Sequence, residues 1–224
     1  MDFKHVIALL LLVVFTGGCA VLGVGAYMAG GNLIKPIYNL TDQATVVLVD
    51  DPEGQLGDPA MAGVIAAEVG FQLQHHGLIK DVVDQSQVVK LMSRQGAAYN
   101  KMAVAAVGKE VGAAQVIHVL VEAVTAQGDP GQLKPTAQVA VKLIDVTNNR
   151  RLYPPPHASD VAGVAVIGHE RGHVVTVRIA EKTSDKTSPE RMPILRRRLS
   201  ERIGRAVAEL FYEHEPPTLL TEES

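Results

Sequence analysis

Gln115-Val116-Ile117-His118-Val119-Leu120-Val121-Glu122-Ala123-Val124-Thr125 and Thr136-Ala137-Gln138-Val139-Ala140-Val141-Lys142-Leu143-Ile144-Asp145-Val146 are the stretches on which the fold turns. Both are rich in β-branched residues, which favour the extended backbone. Gly128-Asp129-Pro130-Gly131 between them is a strong turn signal. Val139, Val141 and Leu143 alternate with Ala140, Lys142 and Ile144. That period of two predicts one apolar face and one mixed face. Two long strands of this kind could also offer an edge to which a partner strand pairs.

Upstream the period becomes helical. Thr45 to Val49 is a short apolar run ending in Asp50-Asp51, the pattern of a buried strand. Asp58-Pro59 then predicts a helix start, with Asp as N-cap and Pro at the first helical position. Met61, Ile65, Val69 and Leu73 recur every fourth residue as a core-facing stripe, and Gly77 closes the helix. Asp81 to Asp84 predicts a short second strand. Ser86 predicts the cap of a short helix through Val89 and Met92, ended by Gly96. A further helix is predicted from about Asn100 to Val111, ended by Gly112.

Downstream, Asn148-Asn149 marks a turn, and the three prolines between Tyr153 and His157 exclude a central strand there. Val161 to Ile167 and Val174 to Ile179 predict a hairpin. A last helix over about Pro189 to Tyr212 carries the stripe Leu195, Leu199, Ile203, Val207 and Leu210. The expected class is therefore α/β, an α+β sandwich. Its mixed sheet has about five to six strands with four helices, in the order β-α-β-α-α-β-β-(β-β)-α.

Val107-Gly108-Lys109-Glu110-Val111-Gly112-Ala113-Ala114-Gln115-Val116-Ile117 resembles the helix, Gly, Ala, strand junction of a bacterial envelope superfamily. That group includes the N-terminal domain of TolB, the curli-secretion lipoprotein CsgG and the lipoprotein activators of penicillin-binding proteins. Leu143-Ile144-Asp145-Val146-Thr147 resembles its central strand, and Asp81-Val82-Val83-Asp84 its short second strand. The resemblance would cover about Thr45 to Tyr212. It implies a shared fold whose members bind partners or assemble, and it carries no catalytic residues.

The N-terminus supplies an address. Lys4 and His5 precede an apolar run from Val6 to Phe15, then Thr16-Gly17-Gly18-Cys19. A short polar start, an apolar core and small residues before a cut site make a secretory signal. Small residues followed by the chain's only Cys resemble the lipobox of bacterial lipoproteins, although Thr16 stands where Leu is usual. The resemblance implies cleavage after residue 18 and acylation of Cys19. A retained transmembrane helix over Val6 to Ala29 is the alternative, since about 20 apolar residues suffice to span a bilayer. Glycines at 17, 18, 23 and 25 weaken that segment as a helix.

The expected organisation is a signal peptide over 1–18, a lipidated Cys and tether over 19–40, one α/β domain over 41–215 and a frayed tail over 216–224. One Cys permits no internal disulfide, so the fold stands on its core. About 180 residues beyond the tether are enough for that. With Lys+Arg 21 against Asp+Glu 24 the chain is mildly acidic, which argues against nucleic acid as a partner.

Four constellations bear on chemistry. His169-Glu170-Arg171-Gly172-His173 matches H-E-x-x-H, in which two His on one helical face grip zinc and Glu activates water. Gly168, Gly172 and the strand-like Val164 to Ile167 and Val174 to Val177 argue for a hairpin loop instead. His75-His76 at a helix end suits the helix dipole better than chelation, because adjacent helical residues point about 100° apart. Arg191, Arg196, Arg197, Arg198, Arg202 and Arg205 concentrate on the last helix. They read as a solvated face with Glu201–Arg205 and Arg205–Glu209 pairs, or as a surface for anionic lipid. Asp50, Asp51 and Glu53 follow the first strand, where open α/β sheets place ligands, so they form a possible binding loop.

No phosphate-binding Gly loop and no G-x-S-x-G elbow is present, and no cofactor is implied. The expectation is a non-catalytic cell-envelope lipoprotein held at a membrane by its lipid and facing the periplasm. It would bind another envelope protein or itself. Ala20 after the Cys points to the outer rather than the inner membrane. A zinc-dependent hydrolase through His169, Glu170 and His173 is the rival.

Overall fold

The computed structural model describes residues 33–125, 135–156, 172–179 and 192–216. In chain order the elements are β1 (Thr45–Asp50), α1 (Ala60–His75), α2 (Gln85–Gln95), a 3₁₀ turn (Gly96–Lys101), α3 (Val104–Glu110), β2 (Gln115–Thr125) and β3 (Thr136–Asp145). They continue with β4 (Arg150–Tyr153), β5 (His173–Arg178), α4 (Met192–Ala208) and a 3₁₀ turn (Glu209–Phe211). Among the described residues this is the mixed α/β arrangement expected, with a five-stranded sheet and four α-helices.

β1 runs parallel to β2, with Thr45 opposite Gln115 and Asp50 opposite Leu120. β2 and β3 are antiparallel along nearly their whole length. β5 and β4 then follow one another along the far side of β3, β5 opposite Thr136–Val141 and β4 opposite Leu143–Asp145. Both long strands are therefore interior. β3 is paired on both sides along most of its length, whereas β1 flanks β2 only over Gln115–Leu120, so among the described strands Val121–Thr125 pairs with β3 alone.

The free side of β1 is also closed, by the chain's own next segment. Thr45 N–H donates to Asp81 C=O at 2.9 Å, and Val83 N–H donates to Thr45 C=O at 2.8 Å. Gln85 Nε2 donates to Val47 C=O at 2.8 Å. The predicted second strand thus shrinks to one parallel bridge at Val82. The reason is local: the Asp84 carboxylate accepts the Ser86 N–H at 2.7 Å and starts α2 there. Asp84, not Ser86, is the cap. The buried side of α2 is Val88 and Leu91, whereas Val89 and Met92 face solvent.

Each sheet face has its own core. Val47, Ile117, Val119, Val139, Val141 and Leu143 meet Ile65, Val69 and Leu73 of α1 and Leu199, Ile203 and Val207 of α4. On the other face Val46, Leu48 and Val116 meet Val88, Leu91 and Val107. The apolar stripes predicted for α1 and α4 are buried, apart from the partly exposed Met61. A bulge between Val121 and Ala123 resets the alternation in β2, so Val124 rather than Ala123 joins the first core.

The helix ends follow simple chemistry. Asp58 accepts the Ala60 N–H on its carboxylate at 2.9 Å and the Met61 N–H on its carbonyl at 3.0 Å. It therefore serves as the cap even though the helical spiral begins at Ala60. α3 starts later than predicted, at Val104, because Ala103 is extended and the residues before it form the 3₁₀ turn. It stops at Gly112, whose φ of 78° is open to glycine at no steric cost. Ala113 N–H then reaches back to Gly108 C=O at 2.9 Å and closes the terminus.

Two compact units divide the chain. The α/β unit runs from Pro36 to Tyr212, and Tyr38 and Leu40 pack against its core. The second unit contains residues 33–35 and 213–216, where Ile34 and His214 form an antiparallel bridge. Among the described residues no helix is long and apolar enough to cross a membrane.

Candidate functional site

The carboxyl ends of β1 and β2, with the loop Asp51–Gly57, form the place to look for a ligand in a sheet of this kind. Of the acidic residues of that loop, Asp51 is turned onto backbone and Glu53 is exposed. Asp51 accepts the backbone N–H of Gln55 at 2.8 Å on one carboxylate oxygen and that of Leu56 at 2.9 Å on the other. Glu53 accepts from the Gln55 side chain at 3.1 Å. Asp50 reaches the other face of the sheet, where its carboxylate lies 2.7 Å from His118 Nε2. Asp51 thus braces the loop and Asp50 meets β2, while Glu53 stays exposed. Among the described residues no group of three His, Cys, Asp or Glu could hold a metal ion.

His118 is buried in the middle of β2, one of two polar side chains in that strand's interior run. Register explains the pair. His118 sits opposite Leu48, so Asp50 is its diagonal neighbour on the same face. Tyr99 lies in the adjoining core, and burial, then the Asp50 charge, pushes its phenol upward. A carboxylate on one imidazole nitrogen is the orienting half of a triad. Here it ties the exit of β1 to β2. A lone His in an apolar strand was the only sequence signal; its acid lies 68 residues away.

Cys19, His169 and Glu170 lie outside the described residues. His173, the last residue of the H-E-x-x-H match, is the first residue of β5 and pairs with Val141. Gly172 before it has φ of 111°, which no helix contains. The helical geometry that a zinc peptidase gives this motif is therefore broken at its last ligand. His173 Nδ1 lies 2.8 Å from the Tyr153 hydroxyl, and burial holds its imidazole below the ordinary 6.5.

His75 and His76 at the end of α1 hold their rings at near right angles, 5.4 Å apart between centres. His76 stacks on Tyr212 at 3.7 Å between ring centres. Burial, then the neighbouring His75, holds His76 below 6.5 as well. The sign of the pH effect follows. Near pH 6.5 the unfolded chain takes up protons that folded His76 and His173 resist, so stability is lost as pH falls through that value. Asp84 and Asp145 do not contribute there, because hydrogen bonds from Ser86 and Asn148 respectively hold them below 3.8. We expect a lower melting temperature at about pH 5.5 than at about pH 7.5. The double variant His76→Gln, His173→Gln should flatten that difference; an unchanged difference would contradict the assignment.

The arginines of α4 are largely matched, though with partners other than those predicted. Arg197 pairs with Glu201 at 2.9 Å, Arg202 with Glu209 at 3.6 Å, and Arg205 with Glu68 of α1 at 3.6 Å. Such exposed pairs contribute little stability, but they take charge away from any anionic surface. Arg196 is different: its guanidinium lies over Gly57, close enough that a Cβ there would sit 3.0 Å from Cζ.

Beside Arg196 is a cavity of about 140 Å³ between the Asp51–Gly57 loop, the end of β2 and α4. Leu56, Val124, Pro135, Met192, Leu195 and Leu199 supply apolar wall, and Gln55, Thr125, Arg196 and Ser200 are its polar residues. Ser200 is 1% exposed, and its hydroxyl has no hydrogen-bond partner. A buried unpaired hydroxyl costs about 1–3 kcal/mol. Ser200→Ala should accordingly raise the thermal midpoint, while an unchanged or lower midpoint would show the hydroxyl to be satisfied. The sequence did not reveal this cavity, because its walls come from segments about 140 residues apart.

No protein-family model matches the sequence, and no curated protein matches it. Solved structures similar in fold include the lipoprotein GNA1162 from Neisseria meningitidis, at 14% identity and TM-score 0.42, covering 72% of this chain and 99% of that one. The PelC dodecamer from Paraburkholderia phytofirmans matches at 13% identity and TM-score 0.38, covering 80% and 94%. The hypothetical protein CT253 from Chlamydia trachomatis matches at 11% and 0.39, covering 75% and 97%. At these levels the functional reading stands on this chain's own residues.

Proposed function

We propose that the chain is a non-catalytic lipoprotein of the bacterial cell envelope. It is cut after Gly18, acylated on Cys19, and holds its α/β unit at the periplasmic face of a membrane. There it binds another envelope protein or a second copy of itself. The observation that carries this reading is the N-terminal pattern: an apolar run, small residues and the only cysteine at the cut. What supports a binding rather than a catalytic role is the use made of ionisable groups at the carboxyl end of β1. Asp51 holds backbone and Asp50 holds His118, so both maintain structure.

Palmitate labelling tests the proposal. The wild-type chain should incorporate the label and sediment with membranes. Cys19→Ser should lose the label entirely and accumulate at the precursor mass. Equal labelling of both would remove Cys19 from its role. A retained helix would instead leave the chain on the membrane, unlabelled and of full length.

A further inference from the structure

α1 lacks the polar stripe of an ordinary surface helix. Across Ala60–His75 the one residue with a permanent charge is Glu68. It is turned aside, where its carboxylate accepts from Gln72 at 2.8 Å and pairs with Arg205 of α4 at 3.6 Å. A helix that is apolar all round is normally covered on every side. Here the outer side is bare: Ala60, Gly63, Ala67 and Phe71 are exposed, and Val64 is half-buried. Phe71 is 58% exposed, with His75 stacked on it at 5.7 Å between ring centres. Nothing within the protomer accounts for Gly63. It stands mid-helix, where glycine is weaker than alanine, yet a Cβ there would meet no described atom within 4 Å.

We propose that this face packs on the same face of a second copy, the two α1 helices antiparallel across a two-fold axis at Ala67. The axis inverts height along the helix, and Gly63 and Phe71 each lie four residues from Ala67, about 6 Å along it. Phe71 of each copy therefore comes level with Gly63 of the other. It enters the diamond of Ala60, Gly63, Val64 and Ala67, the i, i+3, i+4, i+7 hole that receives a knob between packed helices. A side chain at position 63 would close that hole, which gives the glycine its reason. The same axis brings His75 of each copy level with Pro59, beside the Asp58 carboxylate, so imidazole meets acid at both ends. The face thus complements itself, as an isologous contact must. One helix face is a small contact, so the pairing is weak in solution and gains from chains held in one membrane plane. The proposal rests on the self-binding reading above and names its surface.

The test uses the purified full-length Cys19→Ser chain in mild detergent. Ala67→Cys in that background sets the only thiol on the axis, and a short bismaleimide should couple two chains through it. Lys109→Cys, exposed on α3 against the opposite face of the sheet, should couple far less. Phe71→Ala, at an exposed position, and Gly63→Gln, whose new side chain meets nothing in the protomer, should each lower coupling at Ala67→Cys about tenfold with circular dichroism unchanged. No coupling at Ala67→Cys, equal coupling at Lys109→Cys, or undiminished coupling in either variant would overturn the proposal. Acylation of Cys19 is read separately, so either idea can fail without the other.

Discussion

Gly204→Val is expected to abolish stable folding, or to lower the melting temperature by about 10 °C where folding survives. Gly204 is where α4 crosses α1. A Cβ there would lie 2.7 Å from Glu68 Cβ and 2.8 Å from the carbonyl oxygen of Ile65. The Glu68 contact lies at the root of its side chain and the other is backbone, so neither can swing away. The helices must part, which opens the layer containing Ile65, Val69, Ile203 and Val207. Overpacking costs about 1–3 kcal/mol in ordinary cores and more against backbone, out of a total of about 5–15 kcal/mol. Gly204→Ala should do less harm, because alanine returns about 1 kcal/mol of helix propensity. A Gly204→Val protein melting within about 2 °C of wild type would mean the helices do not approach as described.

Phe211→Ala is expected to cost about 3–5 kcal/mol, read from urea unfolding with an unchanged slope. Phe211 is 1% exposed and belongs to the main core. The 3₁₀ turn Glu209–Phe211 directs it inward just beyond α4. Leu210 in the same turn accepts the Ile37 N–H at 2.8 Å, so the turn also fixes where the N-terminal segment enters. Loss of this ring would therefore loosen both ends of the α/β unit. A cost under about 1 kcal/mol would show that the site collapses around the missing ring.

Much of the fold was legible because its signals are local. Ile65, Val69 and Leu73 announce a helix face through their spacing alone. Val139, Val141 and Leu143 announce a strand face in the same way, and Gly112 announces a stop. What was not legible depended on pairing over distance. Nothing within Gln115–Thr125 says that both sides of its first half, Gln115–Leu120, are occupied; that follows from β1 and β3 lying against it. Asp81–Asp84 looked like a strand because Val82 and Val83 favour one, but Asp84 diverts the chain into α2. The local bonds of the carboxylate loop were equally hidden. Asp51 had a backbone to hold, and Asp50 had a histidine brought beside it by register. The cavity escaped notice because serine at a helix position carries no mark of whether its hydroxyl is paired.

The central claim is that the leader is removed and the sole thiol carries the lipid. The most direct measurement is intact mass spectrometry of the native protein extracted from membranes. The account requires a chain beginning at Cys19 with added diacylglycerol on its sulfur. A chain beginning at Met1 with a free thiol would contradict it.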